Sequence, residues 1–226
     1  DSMSKVPMKR KTFNQNHSAG AEGGRAPTPK EGTRRGGLRE QHAEATRQAL
    51  VTAAALRFAA HGYVGTSLDD VAADAGSTKG AVYHHFKDKR ALFEATYEHL
   101  SSSLVHQLVQ HPLMASGAVG DAIAVFLALA PDPSYSRVLF LEGPAVLGPA
   151  LCRDIDMRHG LGLMEALVSR LITPEMKAQV SSTVLTRLML ATLIEAVQMI
   201  AMAADQTEAD ALARQASLVL SRSFGA

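Results

Sequence analysis

The run from Ser67 to Phe93, SLDDVAADAGSTKGAVYHHFKDKRALF, leaves few folds open to this chain. Ser67 is a good N-cap, because its hydroxyl accepts a backbone N–H that a first helical turn leaves orphaned, and Asp69 and Asp70 follow where the helix dipole favours negative charge. Leu68, Val71, Ala72 and Ala75 recur at i, i+3, i+4 and i+7, so the spacing predicts one buried face of a helix starting at Leu68. Gly76 ends it in the left-handed conformation that glycine takes most cheaply. Ser77 and Thr78 offer caps for a second helix, which turns Ala81, Val82, His85 and Phe86 inward and leaves Ser77, Thr78, Lys79, Tyr83 and His84 outside. Asp88 caps a third helix with Lys89 in its first turn. Two short helices at a sharp turn form a helix-turn-helix, whose second helix enters the major groove with small residues near base edges. A helix N-terminus with a lysine is a phosphate clamp.

Charge supports this reading only locally. Residues 1–39 carry nine Lys or Arg against three acids, residues 40–100 six against eight, and residues 101–226 eight against eleven. Bulk basicity therefore sits in the N-terminal arm. Any DNA contact in the body depends on where Lys79, Lys87, Lys89 and Arg90 stand.

The arm, residues 1–38, is rich in Gly, Pro, Ser and basic residues without periodicity, and is expected to be disordered. Its Lys9-Arg10-Lys11 and Arg34-Arg35 clusters suit either an arm that reaches DNA or a solvated tail that happens to be basic. A first long helix is expected from Glu40 to His61, ended by Gly62. Leu50, Phe58, Leu68, Val71, Val82 and Phe86 make a small three-helix core. The fourth helix, Lys89 to about His111, carries Leu92, Phe93, Tyr97, Leu100, Leu104 and Leu108 at helical spacing and joins the two halves of the chain.

The segment GTSLDDVAADAGSTKGAVYHHFKDKRALF, preceded by a helix ending in RFAAHGY, resembles the DNA-binding domain of the TetR family of bacterial repressors. The match covers about residues 43–100. The resemblance implies an all-α homodimer whose C-terminal domain binds a small ligand that changes DNA affinity. Carried onto this sequence, it places DNA contacts at Thr66, Ser67, Ser77, Thr78, Lys79, Gly80, Tyr83, His84 and Lys89. The expected organisation is an arm over 1–38, a helix-turn-helix domain over 39–88, and a helical effector-binding and dimerisation domain over 89–226 that begins with the connecting helix 89–111.

Beyond a loop from Pro112 to Gly120, apolar helical segments are expected over about 121–130, 134–147, 151–171, 175–203 and 207–223. Gly143-Pro144 predicts a kink or break at Glu142 bordering a cavity. Isolated polar residues in apolar helices, Glu142, Glu195 and Gln198, are suited to orienting a ligand. Phe126, Tyr135, Phe140, Met157, Met164, Met189 and Met199 are candidate lining, methionine favouring adaptable recognition, although ordinary core filling explains each singly. The last two helices are apolar on several sides and predict a homodimer through a four-helix interface.

Other chemistries find little support. His84 and His85 are adjacent and cannot chelate in the i, i+4 manner, and in the cluster Cys152, Asp154, Asp156 and His159 only the last two share a useful spacing, so no metal is expected. Phosphate-binding loops, a G-x-S-x-G elbow and H-E-x-x-H are absent, so neither an enzyme nor a cofactor is expected. The one cysteine, Cys152, fits a reducing cytoplasm. The most apolar window, Leu188 to Ala204, is interrupted by Glu195 and Gln198, so no membrane span is expected. The sequence thus predicts a cytoplasmic, homodimeric regulator, a repressor released from a palindromic operator on double-stranded DNA by a small, largely apolar effector. The alternative is a ligand-independent DNA-binding protein with a filled C-terminal core.

Overall fold

Glycine and capping chemistry set the boundaries of the first four helices. The computed structural model describes residues 31–171 and 179–224. Helix α1 (Glu31–Gly65) is interrupted at Gly62, whose φ of 71° and ψ of 176° lie where glycine is favoured. It begins at Glu31, ahead of the expected start at Glu40. Once a packed helix exists, adding a residue costs no new nucleus, and Gly36 and Gly37 weaken the extension by only about 1 kcal/mol each. The remainder of the arm, residues 1–30, lies outside the described residues.

Ser67 Oγ accepts the Asp70 N–H at 3.1 Å and opens α2 (Leu68–Asp74). Thr78 Oγ1 accepts the Ala81 N–H at 3.2 Å ahead of α3 (Lys79–His85), and Asp88 Oδ1 accepts the Ala91 N–H at 2.7 Å ahead of α4 (Lys89–Gln110). Gly76 turns the chain between α2 and α3 at φ 60°. Leu50, Phe58, Val71, Val82, Phe86 and Phe93 are buried beneath these helices, Leu68 packs at their edge, and the Phe58 and Phe93 rings meet edge to face at 4.9 Å. Each such side chain contributes roughly 1.5–3 kcal/mol by leaving water.

After α4 comes a 3₁₀ turn, Pro112–Ser116, where a plain loop was expected, closed by Gly117 at φ 67°. Helix α5 (Val119–Leu129), the single turn α6 (Pro133–Tyr135), a π-helical segment (Ser136–Glu142), α7 (Gly143–Leu147), α8 (Pro149–Leu171), α9 (Ser182–Ala201) and α10 (Gln206–Phe224) follow. The all-α class holds: α4 packs on α8 and α5, α5 on α9 and α10, and α9 on α10, α8 and the π-helical segment.

No break occurs at Gly143-Pro144. The backbone stays helical through Glu142 and Gly143, and the turn ahead of Pro144 widens to π instead. Pro144 lacks an N–H, and its ring crowds the carbonyl four residues back, that of Phe140; an extra residue in the turn accommodates the ring. The freed Phe140 carbonyl accepts a hydrogen bond from Gln198 Nε2 at 2.7 Å. Gly143 lies against Tyr97 of α4, and a Cβ there would stand 2.5 Å from Tyr97 Cε2 and 2.9 Å from the Val138 carbonyl oxygen.

Helix α9 differs from expectation as well. Over Ser182–Ala201 its mean hydropathy of 1.6 makes it long and apolar enough, by composition, to cross a bilayer. The expected interruption by Glu195 and Gln198 lowers that value too little to take the helix out of the spanning range. The helix packs against α5, α8, α10 and the π-helical segment, burying Met189, Leu193, Ala196, Val197 and Ile200.

Candidate nucleic-acid interface and effector cavity

Capping places a small polar surface around α3. Thr78, Lys79, Gly80, Tyr83 and His84 are exposed there, Ser67 is exposed at the start of α2, and Ser77 is half-buried. Tyr83 is 52% exposed although its neighbour Val82 is fully buried, so one face of α3 fills the core and the other carries the aromatic hydroxyl outward. Lys79 Nζ donates to Asp69 Oδ2 at 2.8 Å, and this bond holds the ammonium above its ordinary pKa. The cation is thus fixed across the α2–α3 turn.

Two of the expected contacts sit differently. Thr66 is buried, and its hydroxyl donates to the Gly62 carbonyl at 2.8 Å, which closes the turn after the Gly62 kink. Lys89 is half-buried: Nζ donates to the Thr66 carbonyl at 2.9 Å and lies 4.5 Å from the centre of the Tyr63 ring. The Thr66 hydroxyl closes the connection between α1 and α2 on itself, and Lys89 pins that connection to α4. Sequence reasoning passed over Arg57, whose guanidinium grips Asp74 of α2 through Nη2 to Oδ1 at 2.9 Å and through Nε to Oδ2. That pair holds the Asp74 carboxyl below its ordinary pKa. An i-spacing count on α1 alone could not have found it, because the partner lies on the next helix.

The π-helical segment grips the end of α1. Arg137 Nη1 donates to the carbonyls of Ala59 and Ala60 at 3.0 and 2.9 Å, satisfying acceptors that a helix C-terminus leaves open. The Glu142 carboxylate accepts the Tyr63 N–H at 2.6 Å and stands where a side chain on residue 62 would have to go, so Gly62 serves both its φ and this approach. Arg90 near the start of α4 donates through Nη2 to the Leu147 carbonyl at 3.1 Å, closing the end of α7.

Deeper in the C-terminal half lies a cavity of about 90 Å³. Its walls come from α4 (Ser101, Leu104, Val105, Leu108), α5 (Val119, Ala122, Ile123, Phe126), the π-helical segment (Leu139, Phe140), α8 (Asp156, Met157, Met164) and α9 (Met189, Leu193). Of the expected lining residues, Phe126, Phe140, Met157, Met164 and Met189 meet here. The other five do not. Tyr135 accepts from Gln107 Nε2 at 2.5 Å beside a separate groove that includes His99 and Leu56. Glu142 is committed to Tyr63, and Gln198 to the Phe140 carbonyl. Glu195 lies in an outer cleft next to α7, and Met199 points outward, 49% exposed. Helical spacing identifies apolar positions but does not say which side of a helix covered on several faces meets the cavity.

The polar groups of the inner cavity wall are Ser101 and Asp156. Asp156 Oδ2 accepts the Tyr97 hydroxyl at 3.0 Å and Oδ1 the Ser101 hydroxyl at 2.9 Å. Burial pushes the Asp156 carboxyl above its ordinary pKa against the opposing effect of these bonds, and pushes the Tyr97 hydroxyl up as well. His159 turns instead to Glu98, which it shares with Arg158. Asp156 and His159, the pair with metal-like spacing, thus serve different partners.

Comparison with known proteins gives a consistent assignment. Residues 50–96 match the family described as bacterial regulatory proteins, tetR family, and residues 117–222 the tetracyclin repressor-like C-terminal domain. The chain is similar to the transposon Tn10 TetC protein of Escherichia coli, 27% identical over 152 residues, which is 66% of this chain and 77% of that protein. It is also similar to the HTH-type transcriptional regulator AcrR of Shigella flexneri, 44% identical over 69 residues, covering 30% of this chain and 32% of that one. A crystal structure of a TetR-family transcriptional regulator from Pectobacterium atrosepticum superposes with a TM-score of 0.62 at 26% identity, over 81% of this chain and 94% of that one. With one match over the helix-turn-helix and the other over most of the helices that enclose the cavity, the chain belongs to the TetR family of DNA-binding transcriptional regulators.

Proposed function

We propose that the protein is a homodimeric, cytoplasmic repressor that holds a palindromic operator through α3 of each protomer and leaves it when a small, largely apolar molecule occupies the cavity. Residues 39–88 act as the DNA-binding unit and residues 89–226 as the effector-binding and dimerisation unit. One observation carries the reading: two walls of the cavity belong to elements bonded to the DNA-binding unit. Helix α4 lends Leu104 and Leu108 to the cavity, and its first turn holds Lys89 on the Thr66 carbonyl. The π-helical segment lends Leu139 and Phe140 to the cavity, and its Arg137 and Glu142 hold the end of α1. A ligand that fits one setting of these walls better than another biases α3 with them.

Exposed apolar side chains support a dimer through the last two helices. Val184, Leu188, Met199 and Met202 follow one side of α9 and its C-cap, with Leu218 and Val219 exposed on α10. In a twofold dimer the two copies of α3 would address half-sites about one helical turn, ~34–36 Å, apart or a related spacing. The ligand-independent reading requires a filled core, and the cavity weighs against it. Gel shifts on DNA upstream of the protein's own gene, repeated with molecules that raise its melting temperature, test the proposal. Release by such a molecule supports it, whereas DNA binding indifferent to every one of them favours the ligand-independent protein.

A further inference from the structure

The effector-site reading leaves one feature of the cavity unexplained: its carboxylate. Asp156 of α8 stands in a wall shared by the inner cavity and an outer cleft of about 440 Å³ beside α7 and α9. A carboxylate offers about four lone-pair sites, and the Tyr97 and Ser101 hydroxyls occupy one on each oxygen. Both donors are neutral. Among the described residues none of the ion pairs includes Asp156. Arg153 and Arg187 line the outer cleft and not the inner cavity. Apart from Asp156 and Ser101, the inner wall is apolar. The carboxylate is half-buried, and His159 on its own helix acts on it only through space, without an ion pair; held against such a wall it is costly, and a neutral guest would leave that cost in place. A guest bearing a cationic N–H would remove it.

Size narrows the guest further. One water needs roughly 10–15 Å³ of this kind of space, so a cavity of about 90 Å³ has room for a single-ring molecule. We propose that Asp156 is the anchor for the ammonium group of a small amine, whose apolar body lies in the inner cavity among Phe126, Phe140 and Met189. The proposal rests on the cavity being the effector site. The ammonium donates to the remaining lone pairs of Oδ1 and Oδ2, and the Tyr97 and Ser101 hydroxyls keep the carboxylate facing it.

Isothermal titration calorimetry of the full chain at neutral pH, with 2-phenylethylamine and 2-phenylethanol as near-isosteric cationic and neutral probes, tests this. The amine is expected to bind at least about tenfold more tightly than the alcohol, as a hydrogen-bonded charge pair does. In Asp156→Asn, with folding checked by circular dichroism, the ratio is expected to fall to within about threefold. The wild-type ratio decides the matter by itself should the variant fail to fold. An alcohol bound as tightly as the amine, or an amine preference that survives in Asp156→Asn, overturns the proposal and leaves the cavity as an effector site. Binding of neither probe to the wild type overturns the amine proposal and counts against the cavity reading as well.

Discussion

The carboxylate of Glu142 accepts the backbone N–H of Tyr63 at 2.6 Å, joining a residue two positions beyond a cavity-lining phenylalanine to the hinge between α1 and α2. Glu142 touches Tyr63 and not the cavity, so under the proposed effector mechanism it would affect transmission separately from binding. In Glu142→Ala, effector affinity measured by calorimetry is expected to stay within about twofold of wild type, while the effector-induced change in operator affinity shrinks by roughly fivefold or more. A full response in the variant, read by fluorescence anisotropy, would assign transmission to α4 and to the Arg137 bonds on Ala59 and Ala60.

Gly143→Ala tests the packing of the end of the π-helical segment against α4. The new Cβ would meet Tyr97 Cε2 at 2.5 Å and the Val138 carbonyl at 2.9 Å, and the backbone atom cannot swing aside as a flexible side chain would. Overpacking of this kind costs about 1–3 kcal/mol. A urea unfolding midpoint lowered without a change in slope is the expected result, and an unchanged midpoint would mean that the segment is looser than described.

The two lysines near the helix-turn-helix are expected to behave differently. Lys89 is tied to the Thr66 carbonyl and faces the Tyr63 ring, so Lys89→Ala should lose about 1–2 kcal/mol of stability. Lys79 is exposed beside Asp69. Lys79→Ala should leave the melting temperature unchanged and lower the slope of log affinity against log salt by about one. Identical salt slopes in the two variants, at equal stability, would contradict this division.

The Asp156 carboxyl is held above its ordinary pKa by burial. A carboxyl raised on folding contributes stability that is fully present below its unfolded pKa and is lost as pH rises through the folded value. Urea midpoints of the wild type and Asp156→Asn between about pH 4 and pH 7 should therefore shift in favour of the variant as pH increases. A gap independent of pH would mean that the folded carboxyl titrates as it does in the unfolded chain.

Much of the helix-turn-helix was legible because its signals are local. Ser67, Thr78 and Asp88 each cap a helix a few residues away, and Gly62 and Gly76 take the positive φ their positions require. The cavity was legible only in its apolar half. Phe126, Phe140, Met157, Met164 and Met189 line it, whereas Glu142 and Gln198, read as ligand-orienting groups, satisfy backbone atoms of Tyr63 and Phe140. Those partners are 79 and 58 residues distant along the chain, and periodicity within one helix carries no information about them. Asp156 was visible only as half of a metal-like spacing; its hydroxyl donors on α4 become apparent only when α8 is laid against that helix.

The claim that the cavity governs the DNA surface is tested most directly by operator affinity at fixed salt. DNA from upstream of the protein's own gene is titrated by fluorescence anisotropy without ligand, then with a saturating amount of a molecule shown by calorimetry to bind the wild-type cavity and not a Leu104→Trp variant that fills it. The account predicts that the ligand raises the operator Kd by at least about fivefold in the wild type. An operator Kd that stays the same with the cavity occupied would contradict it.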